Sequence, residues 1–122
     1  MIQAAGILFR APSGRVLLLQ RSEEGDAAGT WAIPGGKLEK NETAEQAAFR
    51  ECFEEMKYRG SPGKLLLRRV KDGVDYSTFL NECDGEFTPV LNEEHISFAW
   101  VDPSKLGMAA LTTENEIGSE NH

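Results

Sequence analysis

Residues 36–58 read GKLEKNETAEQAAFRECFEEMKY, and this stretch decides how the surrounding chain folds. Thr43 and Gln46 have the S/T-x-x-E/Q spacing of a capping box, in which two side chains satisfy free amides at the start of a helix. Small apolar residues then recur every four positions and form one row on the helix surface: Ala44, Ala48 and Cys52. The pattern predicts a helix over residues 43–58 that docks one face against the rest of the protein.

Three acidic side chains converge along one edge of this helix. Glu51 is followed by Glu54 three residues later and by Glu55 four residues later, so all three lie within about one turn. Like charges at these spacings destabilise a helix unless a cation neutralises them. Carboxylate oxygens prefer hard ions such as Mg²⁺ or Mn²⁺ to zinc. Arg50 lies next to this edge and can orient a carboxylate through a forked hydrogen bond.

A solvated acidic helix face is the alternative interpretation, because most runs of charge hold no ligand. Two observations favour a metal site instead. The acids lie on a helix that is docked by its apolar row, which holds them in place. The helix also follows a Pro-Gly-Gly sequence at residues 34–36, whose backbone can approach a ligand closely.

Strand patterns flank the helix on both sides. Apolar runs bounded by turn signals occupy residues 2–10, 16–21, 65–70, 76–83 and 96–101. The first two form a predicted hairpin, residues 34–36 form a predicted break, and a short helix follows Pro103. This order indicates the α/β class, with a mixed sheet packed between helices. We predict one domain over residues 1–111, and we expect the polar residues 112–122 to fray.

The charge balance limits the kinds of partner. The 122 residues carry a formal net charge of −7 at pH 7, so we expect no extended nucleic-acid partner. A small polyphosphate is still allowed, because cations held by carboxylates can attract it. The sequence has no apolar run of membrane-spanning length and begins without a secretion signal, which predicts a cytoplasmic protein with no membrane partner. Cys52 and Cys83 are expected to be reduced thiols.

Residues 36–58 resemble the Nudix box, G-x5-E-x7-R-E-U-x-E-E-x-G-U, in which U is an apolar residue. The matching positions are Gly36, Glu42, Arg50, Glu51, Cys52, Glu54, Glu55 and Tyr58. Lys57 departs from the pattern, because it stands where the box has its last glycine at the turn that ends the helix. Since lysine tolerates positive φ poorly, we expect a shifted helix end, with Gly60 taking over the turn.

The resemblance extends beyond the box. Residues 31–39, WAIPGGKLE, are similar to the segment that leads into the box in Nudix hydrolases. Residues 93–101, EEHISFAWV, resemble their later acidic loop and the strand that follows. The resemblance implies a Nudix-type α/β/α sandwich with a central mixed β-sheet. It also implies an Mg²⁺-dependent hydrolase, in which Mn²⁺ can substitute.

The resemblance implies a set of metal ligands around the box. They would be the carboxylates of Glu51, Glu54 and Glu55 and the carbonyl of Gly35, with Arg50 orienting Glu51. A water molecule would then attack a phosphorus of a diphosphate linkage, with metal ions lowering the pKa of that water.

Other acids near the box have more than one interpretation. The general base in family members is a glutamate of the box or of the later loop, so Glu54, Glu93 and Glu94 all qualify, and we favour Glu94. Glu42 either supports Arg50 or is an acid favoured at a helix N-terminus. His95 is expected to be a structural residue, because strand histidines are often half-buried hydrogen-bonding groups.

Four further residues are candidate substrate contacts. Arg21, at the end of the second strand, and Lys37, after the glycine pair, can contact phosphate, although either can equally be an exposed cation. Trp31 and Tyr76 can stack on a nucleobase, although aromatic residues in strands more often belong to the core.

The predicted function is cleavage of a nucleoside triphosphate, or a related nucleotide, to a monophosphate product. Dinucleoside polyphosphates are the second substrate class, because family members of that type carry a tyrosine after the box where this chain has Tyr76. The rival from a different class is a non-catalytic nucleotide-binding module on the same fold, which usually loses box acids; here none is missing. A homodimer is also expected, because small domains often pair through exposed strand edges.

Overall fold

The computed structural model describes residues 1–22 and 28–105. Within them, seven strands, one α-helix and a short 3₁₀ helix follow one another. They are β1 (Ile2–Arg10), β2 (Val16–Arg21), β3 (Trp31–Ala32), β4 (Gly35–Lys37), α1 (Ala44–Met56), β5 (Lys64–Lys71), β6 (Val74–Glu82), β7 (His95–Val101) and the 3₁₀ helix (Pro103–Lys105). The predicted central helix, the five predicted strands and the short helix after Pro103 are confirmed, and the strand and helix ends agree within two residues.

The strands form one mixed sheet with β1 near its centre. In the part of the chain that the structure describes, the strand order is β3-β2-β1-β6-β5, and β4 pairs with β1 while β7 pairs with β2. β1 and β6 run parallel, whereas the other paired strands are antiparallel. The predicted α/β class with a mixed sheet is therefore confirmed.

The predicted break at residues 34–36 is wrong, because Gly35–Lys37 forms a strand. This strand, β4, pairs antiparallel with residues 4–6 of β1. A side chain at Gly6 would collide with the Tyr76 hydroxyl and with the chain at residue 34. Glycine therefore allows the close approach of the two strands. Because two of the three residues of β4 are glycines, the strand has no alternation of apolar and polar side chains by which the sequence could have indicated it.

The predicted hairpin between β1 and β2 is present only at its closed end. The two strands share the single pair Arg10↔Val16, because β4 lies beside the first half of β1. β2 instead pairs along its length with β7, and this pairing sets Arg21 against His95. The register therefore brings the start of β7 to the end of β2.

α1 packs on one face of the sheet and supplies four of the ten buried residues of the main core cluster in the described chain. Its buried apolar residues lie against alternate residues of β1 and β2: Ala47, Ala48, Cys52 and Met56 against Ala5, Ile7, Phe9, Leu17 and Leu19. The intervening strand residues face the other way and form a second cluster with Ile33: Leu8, Val16 and Leu18.

Burial raises the pKa of the Cys52 thiol well above its usual value, so this cysteine packs in the core and is no nucleophile. Cys52 and Cys83 are both free thiols.

Parts of the predicted architecture fall beyond the described residues. The second helical layer of the α/β/α sandwich is not among residues 1–22 and 28–105. The predicted domain end at residue 111 and the predicted fraying of residues 112–122 also lie outside them. A helix with the length and apolar character needed to cross a bilayer does not occur in the described residues.

The N-terminus of α1 agrees with the prediction from the sequence, and its C-terminus differs from it. Both hydrogen bonds of the Thr43 capping box are present, as predicted. At the other end, Lys57 itself adopts the left-handed conformation, with φ 60° and ψ 20°, while Gly60 is not among the residues of positive φ. The expected shift of the helix end to Gly60 is therefore wrong. Tyr58 explains the difference, because its ring packs edge-on against Phe9 in the core and fixes the chain direction just after the helix.

The strain at Lys57 predicts a stabilising substitution. Lys57→Gly should raise the free energy of unfolding by about 0.5–1 kcal/mol, because glycine adopts positive φ without the Cβ penalty but loses more chain entropy on folding. Urea unfolding followed by circular dichroism measures this change. Lys57→Ala is the matched control: it also removes the ammonium that lies over the Phe53 ring, but it keeps the Cβ, and it should not stabilise. Equal effects of both substitutions would contradict the strain.

Candidate active site

Arg50, near the middle of α1, joins several carboxylates. Its Nε and Nη2 donate to the two carboxylate oxygens of Glu42 at 2.7 and 3.1 Å, which forms a fork. Its Nη1 donates to Glu54 at 3.1 Å and lies 3.4 Å from Glu51. Nη2 also donates to the Lys37 carbonyl at 3.0 Å, which ties α1 to β4. The hydrogen bond from Arg50 lowers the pKa of Glu42, so of its two interpretations the contacts favour support of Arg50.

Glu51 and Glu55 extend from α1 toward the glycines of β4. The N–H of Gly35 donates to Glu55 at 3.0 Å, and the Glu51 carboxylate occupies the space where a side chain at Gly36 would lie. Glu55 is only 3% exposed, and burial, together with the charge of Glu51, raises its pKa to about 9. Burial raises the pKa of Glu51 to about 7, although the nearby Arg50 acts against this rise. The two carboxyl groups therefore have less positive charge around them than they need to ionise freely.

Glu94 and His95 bring a second segment of the chain to Glu55. One carboxylate oxygen of each glutamate and one imidazole nitrogen all lie within 4.8 Å of one another. Burial, and then the charge of Arg21, lowers the pKa of His95 to about 4. The same positive charge acts against the rise in the pKa of Glu55. The structure thus brings the predicted residues Arg21, Glu55 and Glu94 together, and it adds His95, which was expected to be only structural.

Asn92, which the sequence analysis missed, holds this second segment against the end of α1. Its Nδ2 donates to the Glu54 carbonyl at 2.9 Å, and its backbone N–H donates to the Glu55 carbonyl at 3.1 Å. Its Oδ1 accepts a hydrogen bond from the N–H of Glu94 at 2.9 Å, an Asx turn. The last carbonyls of a helix have no partner inside the helix, so Asn92 satisfies two of them and places Glu94 in the same step. The sequence signal that could have identified Asn92 is its place two residues before Glu94, which is the spacing of an Asx turn.

The other predicted site residues fall in different places. Lys37 has an exposed side chain on β4, and Glu54 is half-exposed with its carboxylate bonded to Arg50. Trp31 and Tyr76 are half-buried and pack against the cluster on the face opposite α1. The roles of these residues, and of the Gly35 carbonyl, stay predictions.

The carboxylates of Glu55 and Glu94 lie close enough together to suit a hard divalent cation. They provide oxygen atoms, which are the ligands that Mg²⁺ and Mn²⁺ prefer. Burial raises the pKa values of Glu51 and Glu55, and a bound cation would stabilise their ionised forms. Glu55 and Glu94 would hold the cation, and the roles of Glu51 and Glu54 as further ligands stay predictions.

The raised pKa of Glu55 predicts an unusual pH dependence of stability. In the unfolded chain this carboxyl loses its proton near its ordinary value of 4.5, but in the folded protein it keeps the proton up to about pH 9. Between these values the folded state binds more protons, so the metal-free protein should lose stability as the pH rises. Excess Mg²⁺ should restore the stability at high pH, because it binds the ionised carboxylates.

Thermal unfolding in EDTA and in excess Mg²⁺ measures this effect. The pH is varied from 5 to 9, because the pKa of Glu55 is about 9 in the folded protein. Glu55→Gln removes the ionisable group, so its melting temperature should vary less with pH and respond less to Mg²⁺. Glu45→Gln, at an exposed position of the same helix, is the matched control and should behave like the unaltered protein. A melting temperature that rises with pH in EDTA would contradict the assignment.

Comparison with known proteins identifies the family. A family model described as the NUDIX domain matches residues 2–119. The dihydroneopterin triphosphate diphosphatase of Haemophilus influenzae is 28% identical over 118 residues, which cover 81% of this chain and 72% of that protein. The CTP pyrophosphohydrolase of Escherichia coli is 41% identical over 94 residues, which cover 75% of this chain and 70% of that protein.

Other relatives are longer, and solved structures agree in fold. The chain spans 51% of a Mycobacterium tuberculosis relative to which it is 46% identical over 110 residues. The crystal structure of the MutT protein from Methanosarcina mazei Go1 superposes with a TM-score of 0.76 at 29% identity, covering 98% of this chain and 91% of that one. With a family model that spans nearly every residue and relatives that align over most of their length, this chain belongs to the Nudix hydrolase family.

Proposed function

We propose that the protein is an Mg²⁺-dependent pyrophosphohydrolase that cleaves a nucleoside triphosphate, or a related nucleotide, to a monophosphate. The observation that carries the proposal is the buried Glu55 and the half-buried Glu51 beside Gly35 and Gly36, with Glu94 and the charge of Arg21 close to Glu55. Two relatives with named activities, on dihydroneopterin triphosphate and on CTP, act on triphosphates, which supports this substrate class.

The chain's own residues divide the work of binding and proton transfer. A bound divalent cation supplies positive charge that neutralises phosphate oxygens and lowers the pKa of a nearby water molecule. Arg21 lies close enough to the cluster to shift the pKa of Glu55, and we assign it to a phosphate oxygen. Lys37 carries its exposed ammonium on β4, and we assign it to the same phosphate chain.

Glu94 is the carboxylate that we assign to accept the proton of the attacking water. It is exposed at the edge of the cluster, and its charge influences both Glu51 and Glu55. Glu54 and Glu93 are the alternatives, but one oxygen of Glu54 already accepts a hydrogen bond from Arg50. We assign Arg50 to orient the carboxylates of α1 through its contacts with Glu42, Glu51 and Glu54.

Trp31 and Tyr76 are our candidates for the nucleobase. Both are half-buried against the same cluster, and the Tyr76 hydroxyl packs closely against Gly35, whose N–H donates to the Glu55 carboxylate, so a base stacked on Tyr76 would lie near the carboxylates. A dinucleoside polyphosphate remains the second substrate class, because it would also use Tyr76. A non-catalytic binding module remains the rival function.

A substrate panel tests the proposed activity. With Mg²⁺, nucleoside triphosphates should yield the monophosphate and pyrophosphate, and Mn²⁺ should substitute for Mg²⁺. A dinucleoside tetraphosphate should be cleaved more slowly than the triphosphates. Product analysis by anion-exchange chromatography separates the outcomes, since preferred cleavage of the dinucleotide would favour the second class. If nucleotides bind in calorimetry but none is hydrolysed with either metal, the binding module is the better description.

Three glutamine substitutions compare two of the three candidate bases, Glu94 and Glu54, with a control. Glu94→Gln should lower kcat by about 10²–10⁴, the usual contribution of proton transfer by a positioned group, and saturating Mg²⁺ should not recover this loss, although the variant also lacks a carboxylate beside the cation. Glu54→Gln should also lower turnover by several orders of magnitude if Glu54 is a metal ligand, but added Mg²⁺ or Mn²⁺ should recover part of the loss. Glu45→Gln, on an exposed part of α1, should keep full activity. Near-normal turnover of Glu94→Gln would remove it from the role of base.

The cellular setting is a further part of the proposal. Free thiols at Cys52 and Cys83 support a cytoplasmic location, because disulfides are uncommon there. The net charge of −7 supports a small nucleotide as partner and argues against an extended nucleic acid.

A homodimer would use an edge of the sheet, and β5 carries exposed Leu65 and Val70 at the edge of the described strand order.

A further inference from the structure

The buried end of the carboxylate cluster contains a nitrogen atom, which the box does not provide. A carboxylate oxygen of Glu55, a carboxylate oxygen of Glu94 and a ring nitrogen of His95 lie within 4.8 Å of one another. Ligands that bind one ion through bonds of about 2.1 Å can lie at most about 4.2 Å apart, so only small shifts would bring these three atoms onto a common ion. The spacing is compatible with a shared cation.

His95, which belongs to this group, has a buried polar atom without a hydrogen-bond partner. The residue is 8% exposed, and its Nδ1 is buried without a hydrogen-bond partner in the described residues. A buried ring nitrogen without a partner costs folding free energy, and a metal ion bound to that nitrogen would remove the cost. Glu55 is also buried, at 3% exposed, so two of the three groups cannot turn to bulk water.

Hydrogen bonds hold the Glu55 carboxylate and the backbone of Glu94 and His95 in place. The N–H of Gly35 fixes the Glu55 carboxylate, and Oδ1 of Asn92 fixes the N–H of Glu94. The N–H of His95 donates to the Asn92 carbonyl at 3.3 Å, and β-pairing sets His95 opposite Arg21. The charge of Arg21 opposes a bound cation, but two carboxylates outweigh it when both are ionised.

We propose that His95, with Glu55 and Glu94, forms a divalent metal position with a nitrogen ligand, which takes Co²⁺ more tightly than Mg²⁺. Imidazole nitrogen favours transition-metal ions, whereas Mg²⁺ prefers oxygen ligands and gives up its water reluctantly. Glu94 has two oxygens, so one can face the ion while the other accepts a proton. The inference deepens the proposed function and rests on the same carboxylates, but it concerns the identity of the metal and needs no substrate.

The chain offers a direct test, because His95 and His122 are its two histidines. Protein without a histidine tag and carrying His122→Gln has His95 as its only imidazole. With one equivalent of Co²⁺, its proton NMR spectrum in water should show a strongly shifted, exchangeable imidazole N–H signal. Calorimetry with Co²⁺ and Mg²⁺ alone should show that His95→Gln weakens Co²⁺ binding about tenfold or more, and Mg²⁺ binding much less. His122→Gln should leave both affinities unchanged.

The outcomes separate this inference from the proposed function. If Co²⁺ binds to the His122→Gln protein but its proton NMR spectrum shows no shifted imidazole signal, His95 is not a ligand. This result does not depend on whether the His95→Gln variant folds. Equal losses for the two metals in a folded His95→Gln variant overturn it as well. Mg²⁺-dependent turnover can survive either result, so the proposed function then stands. If neither metal binds, both proposals fail together.

Discussion

Crowding of like charge around the end of one helix is the constraint on which the rest of this structure depends. Glu51, Glu54 and Glu55 lie within about one turn of α1, and Glu94 joins them from a distant part of the chain. Arg50 contacts Glu51 and Glu54, but Glu55 is buried with only an N–H donor and the more distant charge of Arg21. Burial is the main cause of the raised pKa values of Glu51 and Glu55, and the neighbouring carboxylates add to it, so a divalent cation would stabilise the ionised forms.

The surrounding fold keeps the acids together despite their repulsion. Arg50 ties α1 to β4 through the Lys37 carbonyl, and the apolar row of α1 fixes the helix on the sheet. Asn92 closes the other side by bonding the last carbonyls of α1. These contacts hold α1, β4 and the Asn92 segment together, so the Glu55 carboxylate stays buried close to Glu94, and its burial favours the protonated form.

This arrangement reconciles an acidic protein with a polyanionic substrate. A net charge of −7 opposes the approach of a triphosphate, but in the function that we propose some of these acids would hold a cation that attracts it. Arg21, whose charge acts on Glu55, would give the phosphate a second positive group at the same place. Attraction is thus confined to the carboxylate cluster, which suits a small nucleotide better than a long nucleic acid.

Sequence alone determined what depends on neighbours within one or two helical turns. The capping box of Thr43, the docking row of α1 and the spacing of the acids follow from short-range geometry, and the family could be predicted from the resemblance of residues 36–58 to the Nudix box. Tertiary structure decided the rest, because burial and register join residues far apart in the chain. It buried Glu55 and left Glu54 half-exposed, although both belong to one acidic run. It also forced Lys57 into a left-handed turn through the docking of Tyr58, and it carried His95 to Glu55 through the pairing of β7 with β2.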